Sequence, residues 1–219
     1  MRGELRIVED VAAAFCDEVA AAWETRPGEM FTIALSGGDT ARRCYEALAA
    51  RAGSPVDWSR VRVVWGDERC VPLDHEDSNH RLAQEALLDR VEPAAVHPMR
   101  CDDEEAYERL VRDLAPIDVV HLGLGPDGHT ASLFPGSPAL HAPPDRLVVG
   151  NEDPLGVNPL PRLTLTFAGI AAARRTVVTV EGRSKRDGLD RVRAGHDVPA
   201  ARADAPGVVW LADPEAAGP

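Results

Sequence analysis

Ile117-Asp-Val-Val-His-Leu-Gly-Leu-Gly-Pro-Asp-Gly-His-Thr130 is the stretch that decides how this chain folds. Its first part, Ile117–Leu124, is a nearly unbroken apolar run rich in strand formers. From Gly123 onward it is dense in glycine and passes through Asp127 to His129. A strand apolar on both faces is buried on both faces, and such strands belong to sheets covered by helices on either side. Working outward, the same pattern recurs. Met30–Leu35, Val61–Trp65, Leu147–Gly150, Leu163–Phe167, Thr176–Val180 and Val208–Leu211 read as strands. Helical periodicity covers Val11–Trp23, Thr40–Ala50 (ending before Gly53), Asn79–Leu88, Ala106–Leu114 and Ser184–Arg193. Strand–helix alternation of this kind predicts an α/β fold with a mainly parallel sheet.

The 219 residues suit one compact domain, with a core over about 5–211 and a flexible tail over 213–219. A formal net charge of -12 opposes binding to nucleic acid or to an anionic membrane surface. The alanine-rich Val11–Trp23 carries Asp17 and Glu18, which argues for an amphipathic helix over a leader peptide. Cys16, Cys44, Cys70 and Cys101 are scattered, which predicts reduced thiols and a cytoplasmic protein. The histidines lack metal-ligand spacing, so no metal is expected. Of the 24 basic residues 23 are arginine, and Lys185 is the one lysine. Compositional drift accounts for the arginines and leaves the retained ammonium to be explained, since the two side chains are not interchangeable at every site.

In a parallel α/β sheet ligands bind beyond the carboxyl ends of the strands. Four segments occupy such positions. Ser36-Gly37-Gly38-Asp39-Thr40 is either an anion-binding loop at a helix N-terminus or a tight turn with Asp39 or Thr40 as the cap. Gly66-Asp67-Glu68-Arg69 is either a solvated turn or a clamp in which Arg69 grips an anion. Gly123–His129 contains G-x-G-x-x-G, but too late in the chain for a dinucleotide fold. It reads instead as a loop exposing one imidazole, with Asp127 close by. Arg162 and Lys185 add two cations at the same edge. The Pro/Gly-rich stretches 125–144 and 154–161 are long enough to be active-site loops.

These residues together resemble the 6-phosphogluconolactonase family. The match runs through Ser36-Gly37-Gly38, Gly66-Asp67-Glu68-Arg69 with Val71-Pro72, and Asp77-Ser78-Asn79. It continues through Leu122–Pro135, Arg162–Thr166 and Gly182-Arg183-Ser184-Lys185, in that order. The resemblance implies a three-layer α/β/α sandwich around a mostly parallel sheet. It also implies hydrolysis of 6-phospho-D-glucono-1,5-lactone to 6-phospho-D-gluconate in the oxidative pentose phosphate pathway, with no cofactor and by a monomer. His129 would serve as base and then acid, oriented by Asp127. Ser36, Gly37, Gly38, Arg162 and Lys185 would hold the phosphate, and Arg69 either the phosphate or the developing negative charge. Asp67, Asn79 and Thr130 are further candidates. Asp39 and Ala41 depart from the family's usual serine and proline, and Asp39 is expected to point outward, as a cap.

Two other readings stand beside this one. Amino-sugar-phosphate isomerases and deaminases share the fold, but typically carry Phe-Asn-Glu-Pro where this chain has Ser132-Leu133-Phe134-Pro135. Sugar-phosphate-sensing regulators place a helix-turn-helix ahead of the sensor, for which residues 1–30 leave no room.

Overall fold

The computed structural model describes residues 1–51 and 54–218. Gly53, where the sequence ends the second helix, lies outside them. The elements run β1 (Glu4–Ile7), α1 (Val11–Thr25), β2 (Phe31–Leu35), α2 (Asp39–Ala50), β3 (Val61–Trp65) and β4 (Asp67–Arg69). Next come α3 (Asn79–Ala86), β5 (Ala95–Val96), α4 (Glu104–Leu114), β6 (Ile117–Gly123), β7 (Val148–Asn151) and β8 (Arg162–Leu165). The chain closes with α5 (Phe167–Ala171), β9 (Ala173–Val180), α6 (Arg186–Arg193), α7 (Pro199–Arg202), β10 (Val208–Ala212) and α8 (Pro214–Ala217).

Seven strands form one sheet in the order β1-β10-β9-β6-β2-β3-β5, every neighbouring pair parallel. β2 and β6 are buried along their lengths, apart from Gly123 at the end of β6, as their two-faced apolar sequences require. From β2 the chain moves outward to β3 and β5, then returns to place β6 on the other side of β2. The β2–β6 boundary is therefore the switch point, where the loops leaving two adjacent strands turn away from each other and open a crevice. Ser36 follows β2 and Leu124 follows β6, so the two glycine-rich segments are its walls.

The strands expected near residues 147 and 163 do form, but outside this sheet. β7 and β8 join β4 in a separate antiparallel sheet of order β4-β8-β7. β4 coincides with Asp67–Arg69, which reads as a charged turn because a three-residue strand shows no periodicity. Two helices are shorter than their patterns. α3 stops at Ala86 and a 3-10 turn follows over Leu88–Arg90; before α6, Arg183–Lys185 also forms a 3-10 turn.

Two expectations are corrected. Cys70 and Cys101 form a disulfide, with Cα atoms 5.4 Å apart, whereas Cys16 and Cys44 are free and buried. Scatter along the sequence hid this pair because only folding brings together positions 31 residues apart. The stretch from Asp213 does not fray over its described residues. Asp213 accepts hydrogen bonds from Ala216 N (2.8 Å) and from Gly182 N (3.0 Å), and Ala216 and Ala217 are buried. Among the described residues no helix is long and apolar enough to cross a membrane.

A cross-link closing a loop of this length removes about 3–4 kcal/mol of unfolded-state chain entropy. Replacing both Cys70 and Cys101 by serine should lower the unfolding free energy by about 2–4 kcal/mol, measured by urea denaturation followed through tryptophan fluorescence. Equal midpoints for the two proteins would show that the cross-link adds no stability.

Candidate active site

The crevice at the β2–β6 boundary is a cavity of about 440 Å³. Ser36, Gly37, Gly38, Asp67, Arg69, Asn79, His129, Arg162 and Lys185, all singled out from the sequence, line it. Asp127 stands behind His129 and bonds it directly. Thr130 does not line the cavity; its hydroxyl donates to Gly123 O (2.8 Å) and braces the loop from within.

The loop after β6 is folded tightly enough to present one ring. Gly125 N donates to His129 O (2.8 Å) and Gly128 N to Gly125 O (2.9 Å). A Cβ on Gly125 would come within 2.2 Å of His129 Nδ1, so only glycine lets the imidazole lie against the loop. His129 Nδ1 is 2.6 Å from Asp127 Oδ1, which also accepts the His129 backbone N–H at 3.1 Å. Burial pushes the Asp127 carboxyl up, but the hydrogen bonds and charge of His129 outweigh it and hold Asp127 below the usual range. An ionised Asp127 keeps the proton on Nδ1 and leaves the Nε2 lone pair available. The Phe134 ring, 5.1 Å from the imidazole, closes one side.

The small sheet supplies the cations. In the β4–β8 ladder Arg69 lies directly opposite Arg162, so both side chains leave the same face. Like charges directly opposed on a ladder are unfavourable. Arg162 is also buried, and its Nη1 has no partner among the described residues. Burial first, and then the Arg69 charge, push its pKa down. Arg69 donates to Asp77 O, which directs its side chain. Across the cavity, burial pushes the Lys185 ammonium down while Asp127 and Asp39 pull it up. A buried N–H without a partner beside a second guanidinium is a place for an anion to complete.

The acidic residues divide by role. Glu68 points away from the cavity and accepts from Asn79 N (2.7 Å), His80 N (2.7 Å) and Ser78 Oγ (3.0 Å), so it holds the start of α3. Asp67 accepts from Ser132 Oγ (2.7 Å) and from Asn79 Nδ2 (3.3 Å). Asn79 is thereby packed against Gly37, where a Cβ would fall 1.8 Å from its Oδ1. Asp39 is not a cap: Gly38 occupies that position, and Asp39 is the first residue of α2, exposed at the cavity rim.

Ser132, Asn158, Thr179 and Glu181 also line the cavity and are absent from the sequence-based set. Asn158 sits in the proline-rich loop 154–161, and Ser132 follows the histidine by three positions, so both had a local signal. Thr179 lies inside a strand whose apolar pattern masks it, and Glu181 immediately follows that strand.

The model of the family described as glucosamine-6-phosphate isomerases/6-phosphogluconolactonase matches residues 4–210. The chain is 41% identical over 206 residues to a 6-phosphogluconolactonase from Synechocystis, covering 84% of this chain and 82% of that protein. It superimposes on the 6-phosphogluconolactonase of Trypanosoma brucei with a TM-score of 0.86 at 30% identity, covering 99% and 98% of the two chains. A monomeric glucosamine-6-phosphate deaminase superimposes with a TM-score of 0.83 at 19% identity, covering 98% of each chain, a likeness of fold alone.

Removing the unpartnered guanidinium tests the anion site directly. Arg162→Met should weaken binding of inorganic phosphate about 10- to 100-fold in titration calorimetry, the loss expected for one charge-assisted hydrogen bond. Unchanged affinity would place the anion elsewhere.

Proposed function

The chain belongs to the glucosamine-6-phosphate isomerase/6-phosphogluconolactonase family and hydrolyses 6-phospho-D-glucono-1,5-lactone to 6-phospho-D-gluconate, and from that premise we propose how its residues do so. The observation that carries the mechanism is the Asp127–His129 pair, at 2.6 Å, on the wall of a cavity flanked by Arg69, Arg162 and Lys185.

A lactone is a cyclic ester. Its hydrolysis needs an activated water, a stabilised tetrahedral oxyanion and a proton for the departing ring oxygen. His129 Nε2 takes a proton from water, whose oxygen attacks the C1 carbonyl. The imidazolium so formed is stabilised by Asp127, an ionised partner already bonded to Nδ1. As the C1–ring oxygen bond breaks, His129 returns the proton to that oxygen, and the pair is restored. General acid–base catalysis of this kind is worth about 10²–10⁴-fold. Arg162, Lys185 and the N-terminus of α2 at Gly37–Gly38 hold the phosphate, and Arg69 faces either the phosphate or the oxyanion. Fixing the phosphate sets the carbonyl carbon against the water, which converts binding energy into positioning. A single chain supplies every one of these groups, which supports a competent monomer.

Ring opening of an amino sugar phosphate is the alternative chemistry on this fold. Leu133 and Phe134 stand where the isomerases and deaminases typically place asparagine and glutamate, and neither can move a proton. Glucosamine-6-phosphate should therefore release no ammonia with this chain.

His129→Ala should lower kcat/KM for the lactone about 10²–10⁴-fold above the spontaneous rate while still binding 6-phosphogluconate. Turnover at the wild-type rate would end the assignment of His129 as base. Lys185→Arg should raise KM about three- to tenfold with little change in kcat, because a planar guanidinium does not fill the place of a compact ammonium. A KM equal to wild type would return Lys185 to compositional drift.

A further inference from the structure

The central strand β6 carries a buried histidine. His121 in β6 is fully buried, with Phe15 stacked 4.2 Å from its ring. Burying an imidazole without partners is costly, whereas a hydrophobic residue would fit such a strand at no such cost. Both ring nitrogens are in fact engaged. Nδ1 lies 2.9 Å from the Tyr45 hydroxyl and Nε2 lies 2.8 Å from Thr179 Oγ1. Tyr45, buried on α2, contacts both backbone polar groups of Ser36: its hydroxyl accepts from Ser36 N at 2.6 Å and donates to Ser36 O at 3.0 Å. Thr179 in turn lines the cavity.

Proton counting orders the whole chain of bonds. Burial pushes the His121 pKa down to about 3, so the ring is neutral and carries one proton. The single Tyr45 proton goes to Ser36 O. With that proton on Ser36 O, the Tyr45 oxygen accepts from His121 Nδ1, the tautomer this assignment selects. Nε2 is left with a lone pair and accepts the Thr179 hydroxyl proton. Thr179 has thus committed its proton inward, and its oxygen offers only acceptor capacity to the cavity. At the other end, both the N–H and the C=O of Ser36 are held to one hydroxyl immediately before Gly37 and Gly38. This hold sets the direction in which the next backbone N–H groups face.

We propose that Tyr45, His121 and Thr179 are positioning residues for substrate binding, a relay that fixes the Ser36–Gly37–Gly38 loop against the phosphate and aligns the Thr179 oxygen to accept from a substrate hydroxyl. The proposal rests on the lactonase reading given above, but none of the three residues takes part in the proton transfers assigned to His129. The relay also explains why a polar residue persists at the centre of β6: one imidazole links the loop after β2 to the far wall of the cavity across the switch point.

Tyr45→Phe removes one oxygen and keeps the ring. It should raise KM for the lactone and the inhibition constant for 6-phosphogluconate together, by about tenfold, while kcat stays within about twofold, the pattern of lost uniform binding. Thr179→Val should move both constants in the same direction and Thr179→Ser should restore them, because serine keeps the hydroxyl. A merely structural network would lower the melting temperature without this split. The proposal is overturned if folded Tyr45→Phe binds and turns over as wild type, or if kcat falls at constant KM. If Tyr45→Phe does not fold, the decision passes to Thr179→Val, whose wild-type KM would equally overturn it. A wild-type chain without lactonase activity would instead refute the underlying reading, so the two failures are distinguishable.

Discussion

Parallel pairing of β2 with β6 at the middle of the seven-stranded sheet is the constraint on which the rest of the molecule depends. Ile33 and Ala34 register with Val119 and Val120, so the two strands end side by side. Their loops turn to opposite sides and open the cavity between them. The Ser36–Gly38 loop and the His129 loop are neighbours for this reason. Packing at this boundary is apolar, non-directional and strong, and it therefore tolerates the polar groups that face into the crevice.

The small antiparallel sheet adds what the main sheet cannot. Its ladder places Arg69 opposite Arg162 and leaves a buried Nη1 of Arg162 without a partner. Both features are unfavourable in themselves. Under the proposed reading, an anion between the guanidinium groups relieves both. The carboxylates around them have separate work. Glu68 ties down α3, Asp67 holds Ser132 and Asn79, and Asp127 fixes the imidazole tautomer. Asp67, Glu68 and Asp127 are thus occupied by neutral groups or by His129, and Glu181 is paired with Arg43 at 3.0 Å.

Polar burial recurs as the means of alignment. Tyr45, His121 and Thr179 form hydrogen bonds deep in the apolar core, where water does not compete and the geometry is stiff. The same logic holds the β6 loop, where Thr130 is bonded to Gly123 O rather than to a ligand. A conspicuous polar residue in a functional motif can serve the loop that carries it, and an inconspicuous one inside a strand can reach the cavity.

The longer strands and helices, the parallel class, the histidine loop and the main cations were legible in the sequence, because each depends on local periodicity or on residue chemistry within a few positions. Ser36-Gly37-Gly38, Asp127 with His129, Arg69, Arg162 and Lys185 could all be read there, together with the family they resemble. The β4–β8 register, the Cys70–Cys101 cross-link, the role of Glu68 and the reach of Thr179 could not. These join residues distant along the chain, and their pairing follows from which strands become neighbours. Local sequence determined the parts and their chemistry, whereas tertiary structure alone decided which parts meet, because contact between distant residues is set by the packing of whole elements rather than by any segment's own preference.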